Sequence, residues 1–419
     1  MLEVQTNNDQ TILDYLNEDC WRAVLKYVPV QDIIRTESTS RQWQRVVLQY
    51  LQGVHISILC DNDKSRKTNP NACVLKLSQS MYFLNYKSFV MWISKLGTSV
   101  AAAYCDNLET LIRIRENCPN LESLTLHSLH NQCSCCGLLE RFPYNLNMDF
   151  PCLQGLYFYS CNISDSCITN FIADKALEEL EICNCQRVTG DFFNTINLSN
   201  VKSLALESFD DLDSEHLFSA VERLVELKKL VLNLMPEDTF KGIQVLLDMM
   251  PKLEYLEIYD EKLETMPCYD YKPLSRLSCL KHLDVQYQLS DEAAEAILRG
   301  CKDLRTLEFR NCEDMNGNFV AEALCRWGTR LRSLSLMALD LDDDDVVAII
   351  SGCPELTRLL VTGAWLSPRL PARAAAARRG PRLLLDLAGT SLSDPKETKD
   401  LYGDYEPLKL EYEELIIEL

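Results

Sequence analysis

Apolar residues recur along this chain in one six-position frame, with leucine-like side chains at positions 1, 4 and 6. The frame occupies 121–126, 153–158, 177–182, 201–206, 227–232, 253–258, 280–285, 304–309, 331–336 and 356–361. Successive first positions lie 32, 24, 24, 26, 26, 27, 24, 27 and 25 residues apart. Positions 4 and 6 fall on one face of an extended backbone. A single strand cannot bury that face, but stacked neighbours can, with their strands in parallel. Helix-start signals follow the frames: Ser164-Asp165, Asp213-Ser214-Glu215, Ser290-Asp291, Asn316-Gly317-Asn318 and Asp342-Asp343. Their short polar side chains can accept bonds from free N–H groups of a first turn. Gly300 and Gly352 stand just before the next frame, where glycine suits a helix C′ position.

A period in the mid-twenties with L-x-x-L-x-L resembles the leucine-rich repeat. Cys118, Cys301 and Cys353 stand three residues before a frame, and Cys161, Cys185 and Cys312 stand at its position 9. That placement is similar to the cysteine-containing subtype. As residues they read as small buried hydrophobes. The expected fold is an α/β leucine-rich-repeat solenoid, a horseshoe with parallel strands on the concave side and helices outside.

Composition narrows the setting. At 419 residues the chain exceeds one compact core, but a solenoid grows in one dimension. The apolar share of 47% is ordinary for a soluble protein. Residues 1–10 lack a basic region followed by an apolar one, so no signal peptide is expected. No apolar run reaches membrane-spanning length. The nineteen cysteines are then expected to be reduced, in cytoplasm, nucleus or both. A net charge of −20 argues against a nucleic-acid surface and suits basic partners.

Residues 12–51 carry no frame. Ile12, Leu13, Leu16, Trp21, Val24, Leu25 and Val28 fall at helical spacing, and Pro29 breaks that helix. Asp32 opens a second helix with Ile33 and Ile34, and Trp43, Val46, Val47 and Leu51 continue a third. The segment from Leu16 to Ile34 resembles the opening of an F-box, and Ser38 to Arg45 its closing part. Leu25, Pro29, Asp32, Ile33 and Trp43 fall in place. Two positions depart: Leu16-Asn17 stands where the family has Leu-Pro, and Ser40 where it has Cys. An F-box followed by leucine-rich repeats is similar to the F-box/leucine-rich-repeat family, whose members serve SCF (Skp–cullin–F-box) ubiquitin ligases as substrate receptors. The resemblance implies a Skp-family adaptor contacted by Leu16, Val24, Leu25, Val28, Pro29, Ile33, Ile34 and Trp43, with Leu25, Ile33 and Ile34 partly exposed when it is absent. Through the adaptor it implies a cullin-RING ligase and proteasomal degradation of a protein substrate. A helical cap on the repeats is the plainer alternative.

The expected organisation is a polar segment 1–11, the three-helix F-box 12–51, divergent early repeats 52–120, repeats 121–393 with a loop insertion 127–152, and an acidic tail 394–419. Within 52–120, Val54 to Ile58 reads as a strand, and the frame is degraded at Leu75/Leu77 and Ala101/Ala103. The insertion holds His127, His130, Cys133, Cys135 and Cys136, too close and unrepeated for a structural zinc site. Asp342 to Asp345 lack the spacing of a calcium loop and suit a helix N-terminus. Ser367-Pro368 reads as a helix start, 372–379 is helix-forming and Arg-rich, and the frame shortens by one residue at 383–387. The tail is loose or lies against the last repeats.

With five histidines and no nucleophile, P-loop or dinucleotide motif, the chain reads as no enzyme, with no catalytic residue, cofactor or metal. Positions 3, 5 and 7 of the frames point away from the core and form a strip. Its candidate substrate contacts are Tyr157, Tyr159, Glu179, Glu181, Glu207, Tyr255, Glu257, Tyr259, Asp284, Glu308 and Arg310. Aromatic anchors with negative potential would attract a basic segment. The competing site is the Arg-rich helix with the tail, and the competing function is a repeat scaffold without a ubiquitin role.

Overall fold

A computed structural model describes residues 16–418 apart from 53, 55, 61–72, 78–92, 107, 129–148, 162, 173–174, 186, 209–210, 234–248, 260–270, 287–288, 311–314, 388–389, 391–409 and 412–413. Its contacts divide the chain into residues 1–179 and 180–419.

The first unit opens with helices α1 (Glu18–Leu25), α2 (Val30–Thr36) and α3 (Arg41–Gln52). Leu25, Ile33, Val47, Tyr50 and Leu51 are buried among its core residues. The first helix stops at Leu25, four residues ahead of Pro29, which instead stands as the N-cap of α2. Strands β1 (Ile56–Cys60), β2 (Cys73–Leu77) and β3 (Val100–Cys105) follow. After α4 (Leu108–Asn117) come β4 (Ser123–His127), β5 (Gly155–Tyr159) and α5 (Asp165–Ile172). All five strands pair in parallel, in the order β2-β1-β3-β4-β5. The strand at Leu75/Leu77 is therefore not an early repeat in sequence order. It lies on the outer edge of β1, where its backbone groups complete the pairing that an exposed edge would leave open.

The second unit contains β6 (Glu179–Cys183), β7 (Ser203–Glu207), α6 (Ser214–Val221), β8 (Lys229–Asn233), β9 (Tyr255–Tyr259) and β10 (His282–Val285). It continues with α7 (Asp291–Gly300), β11 (Thr306–Phe309), α8 (Gly317–Trp327), β12 (Ser333–Met337), α9 (Asp343–Gly352) and β13 (Arg358–Thr362). The strands from β7 to β13 pair in parallel and in register. Leu256, Leu283, Leu307 and Leu334, all at frame position 4, stand opposite one another and are fully buried.

Among the described residues, the repeats leave their strands with the same local chemistry. Position 8 takes a left-handed backbone at Ser128, Ser160, Asn184, Ser208, Ala338 and Gly363. That conformation aims its N–H at the next repeat: Ser208 N donates to Asn233 O at 2.9 Å, and Ala338 N to Thr362 O at 3.2 Å. The helix starts are capped as the sequence predicts. Asp213, Ser290, Asn316 and Asp342 each accept a backbone N–H, and Asp342 and Asp345 form a reciprocal capping box. Cys118, Cys161, Cys185, Cys301 and Cys353 are buried, while Cys312 lies outside the described residues. Several thiols also donate to backbone carbonyls: Cys161 Sγ to Leu126 O and Cys301 Sγ to Leu274 O, each at 3.3 Å.

Gly300 has a different reason from the one expected. It is the last residue of α7, without a left-handed backbone, and a Cβ there would stand 2.0 Å from Ser275 O in the preceding repeat. Close approach of backbones, not turn geometry, requires glycine. Gly300→Ala should therefore lower stability by about 1–3 kcal/mol in urea unfolding. Helix propensity alone would raise it by roughly 1 kcal/mol, so the sign of the change decides between the two effects.

The last repeat departs from expectation at its start and end. The N-cap of α10 (Leu370–Ala377) is Arg369 rather than Ser367; Ser367 Oγ accepts Arg369 N at 3.3 Å, and Ser367 also bonds to Asp343. After β14 (Leu384–Asp386), the chain end supplies β15 (Leu410–Glu411) and β16 (Glu414–Glu418). The last of these pairs antiparallel with β14, so the end of the chain is a strand on the sheet edge rather than a loose tail. Tyr402, Tyr405 and Tyr412 lie outside the described residues. No helix among the described residues is long and apolar enough to cross a membrane.

Candidate functional site

The helical segment is held together by bonds the sequence pattern does not show. Asn17 Oδ1 accepts Cys20 N at 2.9 Å and so caps α1. Ser40 Oγ accepts Trp43 N at 3.1 Å at the start of α3. The two positions that depart from the F-box pattern thus both place an N-capping side chain at a helix start. Trp43 Nε1 donates to Thr36 Oγ1 at 2.9 Å, and the Trp43 ring meets Trp21 edge-on at 5.2 Å.

These contacts sort the eight proposed adaptor residues. Leu25 and Ile33 are 2% and 1% exposed without any partner, so the expectation of partial exposure is corrected for both. They fill the core between three short helices that have few other apolar residues to bury. Leu16, Ile34 and Trp43 are half-buried, and Pro29 is exposed. Val24 and Val28 are exposed, and Tyr27, which sequence reasoning missed, is 79% exposed beside them. Its signal was available: Val24, Tyr27 and Val28 share the spacing of one helical face.

The strip is best described in two parts. In the first unit, the His127 ring stacks on Tyr104 with centroids 5.9 Å apart and lies 6.3 Å from Tyr159. Tyr157 and Tyr159 are half-buried, and the Tyr157 hydroxyl donates to the exposed Glu179 carboxylate. His130, Cys133, Cys135 and Cys136 of the insertion lie outside the described residues.

In the second unit the strip forms a denser array. The Tyr255 and His282 rings stack at 4.0 Å and 5°. Lys229 Nζ stands 5.0 Å from the Tyr255 centroid on β8. The Tyr255 hydroxyl donates to Glu257 Oε2 at 2.8 Å; burial, then the Glu257 carboxylate, hold its pKa above the usual phenol value. Burial pushes the His282 imidazole below its ordinary value, with the Glu308 and Glu257 carboxylates opposing the shift. Tyr259 lies in β9, but its side chain is outside the described set.

Asp284 corrects the sequence reading. It is 2% exposed, and Arg310 Nε donates to its two oxygens at 2.8 and 3.0 Å while Arg310 Nη2 donates to Oδ2. Burial raises the Asp284 carboxyl to about 6 despite Arg310, with Glu308 and Glu257 adding to the rise. It is a buried brace between β10 and the end of β11, not a free contact. Glu308 remains half-buried 3.8 Å from Arg310.

Glu181, Cys183 and Glu207 converge, with one ligand-type atom from each lying within 4.8 Å of the others. Burial, then the Glu181 and Glu257 carboxylates, raise the Glu207 pKa. Burial, then Glu207 and Glu181, push the Cys183 thiol up as well. Cys183, Lys229 and His282 were strip positions in the sequence, but their roles depend on cross-strand neighbours.

Residues 13–50 match the F-box domain model. The fold of the whole is similar to that in the crystal structure of the Rad7 and Elc1 complex in yeast, with a TM-score of 0.57 and 17% identity over 88% of this chain and 92% of that one. The chain carries an F-box segment followed by a leucine-rich-repeat fold. This F-box/leucine-rich-repeat chain also resembles an internalin from Listeria monocytogenes str. 4b F2365, with a TM-score of 0.46 and 18% identity over 84% of this chain and 94% of that one. A search of curated proteins returned no match.

Proposed function

We propose that the chain is a non-catalytic substrate receptor of an SCF-type E3 ubiquitin ligase. The F-box would bind a Skp-family adaptor, and the repeats would bind a protein substrate. The observation that carries this reading is the F-box match over 13–50, on a segment that keeps its own core and exposes Val24, Tyr27 and Val28. A folded segment with an apolar stripe suits the groove of a partner helix. The neighbour in fold, Rad7, was solved in complex with Elc1, which agrees with an adaptor partner. The chemistry would belong to a ubiquitin-conjugating enzyme, and this chain would contribute proximity. Work in the cytoplasm, the nucleus or both fits this role, with no nucleic acid and no membrane as partner.

The substrate would meet the strip through Tyr255, His282, Glu257 and Glu308, where half-buried rings stand among carboxylates. Such a surface favours a basic segment and raises its on-rate in a salt-dependent way. Co-expression with a Skp-family adaptor should give a complex stable to gel filtration and lost on deleting residues 1–52. Failure to form it under conditions where other F-box chains do would favour a repeat scaffold with no ubiquitin role.

A further inference from the structure

We propose that Glu181, Cys183 and Glu207, joined by Asn233, bind one divalent transition-metal ion, with Zn2+ the best match to the donors. The inference is independent of the ligase reading. Glu181 and Cys183 are two residues apart on β6 and so share one face. Glu207 is the same-face neighbour on β7, and Asn233 stands directly opposite Glu207 on β8. One donor atom each from Glu181, Cys183 and Glu207 lie within 4.8 Å of one another, close enough to surround one ion.

Asn233 supplies the independent observation. It is 2% exposed, and its Oδ1 is buried without a hydrogen-bond partner. A buried amide oxygen left so is destabilising. A cation held by the opposite Glu207 would give it a partner.

The charges point the same way. Two carboxylates face each other across the thiol, and Cys183 Sγ stands 3.6 Å from Glu181 Oε1. A divalent ion would neutralise both carboxylates and replace the thiol proton. Binding would release that proton to solvent as the S–metal bond forms. A thiol among the donors selects Zn2+ over Ca2+ and Mg2+, which prefer all-oxygen shells. The ion would staple three successive strands and reduce the local negative charge of the strip, since the thiolate offsets part of its charge.

The test uses the full chain, purified reduced and stripped of metal, and Co2+ as a spectroscopic probe that Zn2+ then displaces. One equivalent of Co2+ should give a thiolate-to-cobalt absorption band with release of at least one proton. Glu207→Gln, Cys183→Ser and Asn233→Ala should each weaken metal binding by roughly 10–100-fold or more, given that outer-shell losses already reach that scale. Joint replacement of Cys133, Cys135 and Cys136 by Ser should leave the band unchanged. Circular dichroism checks the fold, and Glu207→Gln, isosteric and half-buried, carries the test should Cys183→Ser not fold. Absence of the band in the wild type, its survival in Cys183→Ser and Glu207→Gln, or its loss in the Cys133/135/136 variant overturns the proposal.

Discussion

Ile33→Asp should unfold the helical segment, whereas Val24→Asp should leave it folded and end adaptor binding. Ile33 is 1% exposed, so the aspartate would carry an unpaired charge into a small core at a cost of several kcal/mol. Val24 is 50% exposed and offers its side chain to solvent, so the same substitution there adds only a surface charge. If Val24, Tyr27 and Val28 seat against a Skp-family adaptor, Val24→Asp should weaken that complex by about 2 kcal/mol or more, the scale of an interface hot spot. Hydrogen exchange over residues 16–52 reads the first outcome, and adaptor titration reads the second. Normal exchange in Ile33→Asp would contradict its place in the core. Wild-type affinity in a Val24→Asp/Tyr27→Asp chain would move the interface elsewhere.

Arg310→Gln should cost the second unit about 3 kcal/mol near neutral pH, the lower end for breaking a buried pair. Arg310 is the weaker-buried partner, and its loss strands Asp284, which is 2% exposed. The penalty should shrink in acid. Burial already lifts the Asp284 carboxyl to about 6, above its ordinary value near 4. A raised pKa means the folded state holds the proton longer than the unfolded state. Stability from this group is therefore full below about pH 4 and falls as pH rises through about 6. Removing Arg310 lifts the carboxyl further, because the guanidinium opposes the rise. Thermal melts near pH 7.5 and near pH 5 should show a smaller difference between variant and wild type at the lower pH. A penalty equal at both would mean that Asp284 stays charged without its partner.

Much of this architecture was legible in the linear pattern because its causes are local. The spacing of Leu280, Leu283 and Val285 decides which face of β10 is buried, and Ser290 decides where α7 starts, whatever surrounds them. The helical segment was equally legible, since Leu25, Ile33 and Trp43 fall on a short, recognisable frame. Even its departures, Asn17 and Ser40, proved to be local capping choices.

What the sequence could not decide is which side chains meet across strands. Asp284 read as a strip carboxylate like Glu257; only the register beside β11 brings Arg310 onto it and turns it into a buried brace. Leu75 and Leu77 read as one more repeat, yet β2 pairs on the outer edge of β1, a choice made by edge pairing rather than by phase. Gly300 was rightly marked as special, but the reason is the carbonyl of Ser275 in the preceding repeat. Position along a frame is a property of one strand and is written in the sequence. Partnership between frames depends on how many residues separate them and how neighbouring backbones close, and that is settled only when the repeats stack.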